Sequence, residues 1–363
     1  MLMIKTIRLR NYRTFDDCTL GLHQRTVVLG ANNVGKTSLL EAIESILGAG
    51  RRGYGFTEDD IRRGSPPGTR ILVDLTIRSN TGDRLDADQH AAFGTHVDVH
   101  DGDREQLLLR VEAGPDEIDG IFRTRARFVK SDGLDDGPLG VEHRQALAML
   151  LFQASRDARR ELSDRFGLWA RVTGTLSLSA EQLERLRKLG EETGDTLVGE
   201  LLGSESGADQ LAGEVSSLLG EVLYGGASDA ELSFSATPLD ARQILRQIEV
   251  RLRIPGDSEA RPLVEHSVGT QSVVLFGLFH AYLRALSYNL LTVAVEEPEV
   301  HLFPHAARSL AKGIRALDVQ TIVTTHSTSV TDLADPRVLL VLRRHGDRTV
   351  AGAVPDGYLS ESV

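Results

Sequence analysis

The chain has 363 residues, more than one average domain holds, so two lobes or one domain with a large insertion are expected. A net charge of −11 excludes a surface that is basic throughout, and any nucleic-acid contact must use a local patch. The single cysteine, Cys18, excludes an internal disulfide and a cysteine-rich metal site; with neither a signal-peptide pattern nor an apolar run near the roughly 18 residues of a membrane helix, a soluble cytoplasmic protein is expected.

In “KTIRLRNYRTF” Ile4, Thr6 and Arg8 alternate with Lys5, Ile7 and Leu9, which predicts a half-buried strand. “TVVLG” predicts a short buried strand running into “ANNVGKT”. Leu39, Leu40, Ile43, Ile46 and Leu47 then recur at helical spacing, until Gly48, Gly50 and Gly53 stop the helix. A loop follows, and “ILVDLTI” returns to strand. Turn signals from Asp98 to Lys130, with Asp101–Gly102 at one tip, predict an antiparallel hairpin.

Residues 142–225 read as helical, “RQALAMLLFQ” included. Leu183, Leu186 and Leu189 mark a seam there, but Gly190, Gly194 and Gly199 interrupt it, so no long coiled coil is expected. “ELSFSA” and “IEVRLRIPG” read as strands and “VVLFGLFHAYLRAL” as a helix. After them come strand “LLTVAVEE”, helix “PHAARSLAKGIRAL”, and strands “TIVTTH” and “RVLLVLRR”. Sheet elements at both ends of a helical middle suggest one sheet domain closed across an insertion.

“GANNVGKT” matches G-x-x-x-x-G-K-[ST] between a strand and a helix, the context that confirms a phosphate-binding loop. Gly30, Ala31, Asn32, Asn33, Val34 and Gly35 would cradle phosphates with backbone N–H groups, and Ser38 follows at the helix start. Lys36 would reach the β and γ phosphates of a nucleotide, and the Thr37 hydroxyl would bind Mg²⁺. Such a loop needs a carboxylate on a neighbouring strand and a group that orients water. Glu296 and Glu297, at the end of “VAV”, suit these two roles; alone they would read as two acids at a solvated strand end. Ser267 and Gly269 open a helix that could contact another phosphate, and His326 ends the last core strand near the γ-phosphate.

This order resembles the ABC-type ATPases of the SMC, RecF and Rad50 group, and “EEPEVHLFP” with “TTHS” looks most like the OLD family of ATP-dependent endonucleases. The resemblance covers residues 1–76 and 264–344. It implies an α/β fold: a P-loop ABC-type ATPase head with a mixed sheet core, an N-terminal antiparallel β subdomain and a helical insertion. The expected division is 1–140 for the first half of the head, 141–230 for the insertion and 231–363 for the second half. The resemblance makes Glu296 the Walker B acid, Glu297 the catalytic base, His326 the switch histidine and Gln153 a Q-loop residue. It places His301 in the D-loop, and gives Ser267 and Gly269 the signature motif that serves a partner's ATP across a homodimer. ATP and Mg²⁺ are the implied cofactors, and DNA the implied partner.

Two departures bear on function. Val268 and Thr270 stand where transporter signatures carry other residues, and Gln271 ends the motif. The segment after His326 is short for the Toprim nuclease domain of OLD proteins, so an ATPase that works with a Toprim or other effector, as domain or subunit, is expected, with no nuclease activity of its own. A RecF-like repair ATPase, an ATP-sensing scaffold and a transporter ATPase are the competing classes. For DNA contact the candidates are Arg123, Arg125 and Arg127 on one strand face, flanked by Phe122 and Phe128, together with Arg51, Arg52, Arg62 and Arg63. The bland reading is a solvated face balancing acids such as Asp101, Asp103 and Glu105.

Overall fold

The computed structural model describes residues 2–48, 55–79, 82, 84–100, 104–153, 157–164, 167–175, 179–201, 248–255, 258–286, 291–327, 330 and 335–353. Gly50, Gly53, Arg51, Arg52, the expected tip Asp101–Gly102, Asp103 and the “ELSFSA” strand lie outside these residues.

The strands are β1 (Leu2–Tyr12), β2 (Phe15–Gly21), β3 (Arg25–Leu29), β4 (Ile71–Ser79), β5 (Asp98–His100), β6 (Arg104–Pro115), β7 (Phe122–Val129) and β8 (Asp135–Pro138). They continue with β9 (Met149–Gln153), β10 (Arg251–Leu252), β11 (Arg261–Pro262), β12 (Thr292–Glu296), β13 (Gln320–Thr325), β14 (Leu339–His345) and β15 (Arg348–Ala353). The helices are α1 (Lys36–Leu47), α2 (Ala87–Phe93), α3 (Val141–Ala146), α4 (Ala158–Ser163), α5 (Leu168–Gly174), α6 (Ala180–Leu201), α7 (Val268–Ala285) and α8 (Pro304–Arg315). The chain divides into two compact units, one of Met1–Arg156, Val268–Phe276 and Leu286–Val363, the other of Asp157–Ser267 and Gly277–Ala285.

The first unit holds two sheets. One is antiparallel throughout, in the order β2-β1-β4-β6-β7-β8 with β5 against β6. The other runs β15-β14-β3-β13-β12-β9 and is parallel except for the β14–β15 hairpin. One core contains residues of both sheets and of α1. Leu39, Leu40, Ile43, Ile46 and Leu47 bury one helix face in it, together with Leu9, Phe15, Val28 and Ile322.

Three sequence expectations need correction. The alternation along β1 puts Ile4 and Ile7 on opposite faces, yet both are fully buried in that core. A register shift between Ile4 and Thr6 inserts one residue against β4, and the extra residue returns Ile7 and Leu9 to the buried face. “RQALAMLLFQ” is not one helix: α3 ends at Ala146, and Met149–Gln153 is a parallel strand beside β12. Met149, Leu150, Leu151 and Phe152 are all buried, and a continuous apolar run of that length lacks the periodicity that separates strand from helix. Of “IEVRLRIPG” only Arg251–Leu252 is strand.

Gln320 ties the sheets together at the start of β13. It is fully buried, its Nε2 donates to the carbonyls of Ile4 (2.8 Å) and His23 (3.0 Å), and its Oε1 accepts from Ile4 N–H (2.9 Å) and Thr292 Oγ1 (2.7 Å). With every polar atom paired, this amide fixes the placement of β13 and β12 against β1 instead of costing stability.

The second unit contains α4, α5, α6 and the β10–β11 pair. Asp157 caps α4 by accepting from Arg159 N–H, and Glu161 accepts from Leu168 N–H at the start of α5. Leu168 and Leu263 are among its buried residues.

Candidate nucleotide-binding site

β3 ends at Leu29, and the loop from Gly30 to Gly35 leads into α1. Asn33 (φ 62°) and Gly35 (φ 99°) take left-handed backbone conformations. A Cβ on Gly35 would also stand 2.9 Å from the Phe15 ring and from Thr14 Oγ1, so only glycine fits there. The β14–β15 hairpin supports the loop: Thr349 Oγ1 donates to the Val34 carbonyl (2.9 Å), and Thr349 N–H donates to the Thr14 carbonyl (2.8 Å). No acid lies within the first turn of α1 itself, whose helix field favours anions at this end.

Lys36 is 5 % exposed. Its Nζ donates to the carbonyls of Gly30 (2.8 Å) and Ala31 (3.1 Å) and lies 3.4 Å from Glu297 Oε1. The loop thus holds a buried cation at its centre, where a phosphate would complete its donor set.

β12 lies between β13 and the edge strand β9, so only β13 separates its end from the end of β3, where the phosphate loop begins. Thr37 Oγ1 donates a short hydrogen bond to Glu296 Oε1. Glu297 has φ 44°, which turns the chain out of the strand, and its N–H donates to the Thr324 carbonyl (2.9 Å). Its Oε1 lies 3.5 Å from Nδ1 of His326, the half-exposed residue just after β13. Gln153 is the Cα partner of Glu296 on β9, so it stands beside that carboxylate at the same strand end.

A cavity of about 790 Å³ opens over the loop, lined among others by Arg13, Asn33, Lys36, Thr37, Glu297 and Arg344. Its size is that of a small-molecule site. Thr37, which lines it, and Glu296, hydrogen-bonded to Thr37, offer two hard oxygen ligands, which suits Mg²⁺, an ion that keeps several waters and takes its other ligands from phosphates. The residues present therefore fit both the nucleotide and the metal.

Gly269 and His301 are in close contact: a Cβ on Gly269 would come within 2.6 Å of the His301 carbonyl oxygen, and His301 itself has φ 64°. Ser267, exposed and immediately before α7, groups with the second unit. The site's geometry accordingly rests on Lys36, Thr37, Glu296, Glu297 and His326.

Sequence reasoning missed three parts of this arrangement. Arg13, in “NYRTF”, lines the cavity and pairs with Glu41 and with Asp60 (2.8 Å). Burial opposes its charge, but Tyr12 and these two acids hold its guanidinium above the ordinary value. Thr349 lies on β15, which the sequence pattern did not reveal. Glu299 accepts from Thr325 Oγ1 (2.6 Å) and from His326 N–H (3.0 Å); its only signal was a third acid in “EEPE”.

The expected arginine track on β7 is neutralised. Arg123 pairs with Asp116 (3.1 Å) and Asp119 (2.5 Å), Arg125 pairs with Asp116, and Arg127 pairs with Glu112 (3.1 Å) and Asp135 (3.7 Å). These acids supply the balance; Glu105 pairs instead with His90 (2.8 Å), and Asp101 and Asp103 lie outside the described residues. Arg62 pairs with Asp347 and Asp16, while Arg63 lines the nucleotide cavity.

Comparison with known proteins identifies a family and a fold. A family described as “AAA domain, putative AbiEii toxin, Type IV TA system” matches residues 25–332. The chain is 27 % identical to an OLD nuclease of Thermus scotoductus, over 96 % of this chain and 63 % of that protein. It is 24 % identical to the uncharacterized protein YbjD of Escherichia coli, over 99 % of this chain and 65 % of the relative. The chain thus spans less than two thirds of the length of these two curated relatives. A Rad50 double-strand break repair ATPase of Aeropyrum pernix is 32 % identical over 28 % of this chain and 12 % of its own length. Among solved structures, the Smc head domain with an extended coiled coil from Pyrococcus furiosus, bound to the C-terminal domain of ScpA, superposes with a TM-score of 0.56 at 14 % identity. That match covers 99 % of this chain and 98 % of the other. The SMC head domain of Thermotoga maritima gives 0.50 at 15 % identity, over 97 % and 99 %. At these identities the structures show a shared fold. Among the described residues no helix is long and apolar enough to cross a membrane.

Proposed function

The chain belongs to the AAA-domain family that matches it, as an ATPase of the OLD, SMC and Rad50 type, and from that premise we propose that it binds and hydrolyses ATP with Mg²⁺ at the Lys36–Glu297 site. The observation that carries the reading is the convergence of Lys36 Nζ, Glu297 Oε1 and His326 Nδ1 within 3.5 Å steps at the mouth of the phosphate loop.

Lys36 gives the β and γ phosphates its positive charge while the loop N–H groups hold their oxygens. Thr37 and Glu296 would hold Mg²⁺, which when bound neutralises charge on the phosphate oxygens. Glu297 orients the attacking water and takes its proton as the water oxygen bonds to the γ-phosphorus, while the bond from that phosphorus to the β–γ bridging oxygen breaks and ADP leaves. His326 donates toward the γ-phosphate from the far side of Glu297, and Gln153 lines the same strand end.

The reading extends to assembly. ATP bridges two copies, with Ser267 and Gly269 of one copy serving the nucleotide of the other, and the cycle of closure and opening governs DNA processing in the cytoplasm. The nuclease that acts belongs to an OLD-type effector, as a further domain or a separate subunit, and phage defence is the setting proposed for it. The acid-paired face of β7 supports no DNA contact by Arg123, Arg125 and Arg127, so DNA engagement is assigned to other surfaces.

Phosphate release with ATP and Mg²⁺, beside calorimetric ATP binding, tests the site. Lys36→Ala should release no phosphate and lose ATP affinity by about 100-fold or more, since charge-assisted hydrogen bonds disappear from a buried position. Unchanged affinity in that variant would remove Lys36, and with it the site, from nucleotide binding.

A further inference from the structure

Glu299 is buried, at 9 % exposure, although nothing in the reaction described above employs it. Its Oε1 accepts two hydrogen bonds, from Thr325 Oγ1 (2.6 Å) and from the backbone N–H of His326 (3.0 Å). Its Oε2 is buried and without a partner among the described residues. Burying a carboxylate with one oxygen unsatisfied costs free energy, so stability alone does not explain an acid at this position. The bonds it does make join the turn after β12 to the end of β13, whose next residue is His326. That turn is over-determined: Glu297 and His301 are both left-handed, Val300 N–H donates to the Glu297 carbonyl (3.0 Å), and Leu302 N–H donates to the Glu299 carbonyl (3.0 Å). The imidazole itself is half-exposed, and its Nδ1 lies 3.5 Å from Oε1 of both Glu297 and Glu299, beyond hydrogen-bonding distance of either.

We propose that Glu299 is the positioning residue for His326: it anchors the histidine through its backbone N–H and the preceding Thr325 hydroxyl, leaving the ring free to turn between Glu297 and the nucleotide. The proposal rests on the ATPase reading for its effect on rate, and on the geometry alone for its effect on the ring. A positioning role through acceptor bonds makes a definite distinction between two substitutions. Glu299→Gln keeps an amide oxygen that can accept from Thr325 and His326, whereas Glu299→Ala removes both acceptors. A role for the negative charge would make the two variants equal.

Steady-state ATP hydrolysis by the full chain reads the first effect. Glu299→Ala should lower kcat by about tenfold or more with KM within about twofold, since a misplaced catalytic group raises the barrier more than it weakens binding. Glu299→Gln should stay within about threefold of the native kcat, and in a His326→Ala background Glu299→Ala should cost nothing further, because coupled residues are not additive. Ring spectra of protein labelled with ¹³C at histidine read the second effect without any turnover. The His326 signal, identified by its loss in His326→Ala, should shift in Glu299→Ala and return close to its native position in Glu299→Gln. Equal losses in the alanine and glutamine variants, full multiplication of the losses in the double variant, or an unmoved ring signal in Glu299→Ala would each overturn the proposal. Absence of phosphate release from the native chain would instead remove the ATPase reading, and the ring spectra would still decide the role of Glu299.

Discussion

Thr37 and Glu296, 259 positions apart in the chain, meet through a hydrogen bond from Thr37 Oγ1 to the Glu296 carboxylate. The first turn of α1 and the end of β12 are thereby brought to one point, beside the buried amine of Lys36. If that point holds Mg²⁺, Thr37→Val and Glu296→Gln should each reduce the gain in ATP affinity that Mg²⁺ confers by about 10- to 100-fold, the range of a lost charged hydrogen bond or two. Calorimetric titrations with and without Mg²⁺ measure it. A Glu296→Gln variant with undiminished Mg²⁺ dependence would take Glu296 out of the metal role.

The shared-site part of the proposal has its own test. Ser267→Arg should leave ATP binding by the phosphate loop nearly intact while blocking closure of two copies. Mixed with a Lys36→Ala chain, it forms a heterodimer in which one site loses both halves and the other keeps both. Each heterodimer should then show about half of native phosphate release, although each variant alone is inactive. No recovery would leave a self-contained site in each copy.

An acid-sensitive element lies apart from the nucleotide site. His143 sits edge-on to Phe128, with ring centres 5.0 Å apart, and its Nδ1 accepts from Gly140 N–H (3.2 Å). Burial, and the neighbouring His96 ring, push its pKa below the ordinary 6.5. The folded chain therefore takes up this proton less readily than the unfolded one, so folding stability should fall as pH drops below about 6.5 and be fully present above it. Urea midpoints should be higher at pH 7.5 than at pH 5.5, and His143→Leu should narrow the difference. An unchanged difference would assign the acid sensitivity to other groups.

The phosphate loop and the two acids were legible because their chemistry is local: a glycine pattern between a strand and a helix, and paired carboxylates at a strand end. What escaped the sequence depends on partners far along the chain. The strand Met149–Gln153 looks helical until β12 pairs with it, and Ile4 and Ile7 share a face only through a bulge that β4 imposes. The arginines of β7 look like a phosphate track until the turn ahead of them folds Asp116 and Asp119 back onto Arg123. Glu299 carries no signal of its own role, because the atoms it holds belong to Thr325 and His326, a strand away.

The most direct measurement compares ATP binding with ATP turnover in Glu297→Gln. The amide keeps the size of the side chain 3.4 Å from Lys36 Nζ but accepts a proton from water poorly. If Glu297 activates the attacking water, this variant should bind Mg²⁺ and ATP at least as tightly as the native chain and accumulate as an ATP-bound dimer. Its phosphate release should fall by about 100-fold or more, the usual contribution of a general base. Native turnover in Glu297→Gln would contradict the account.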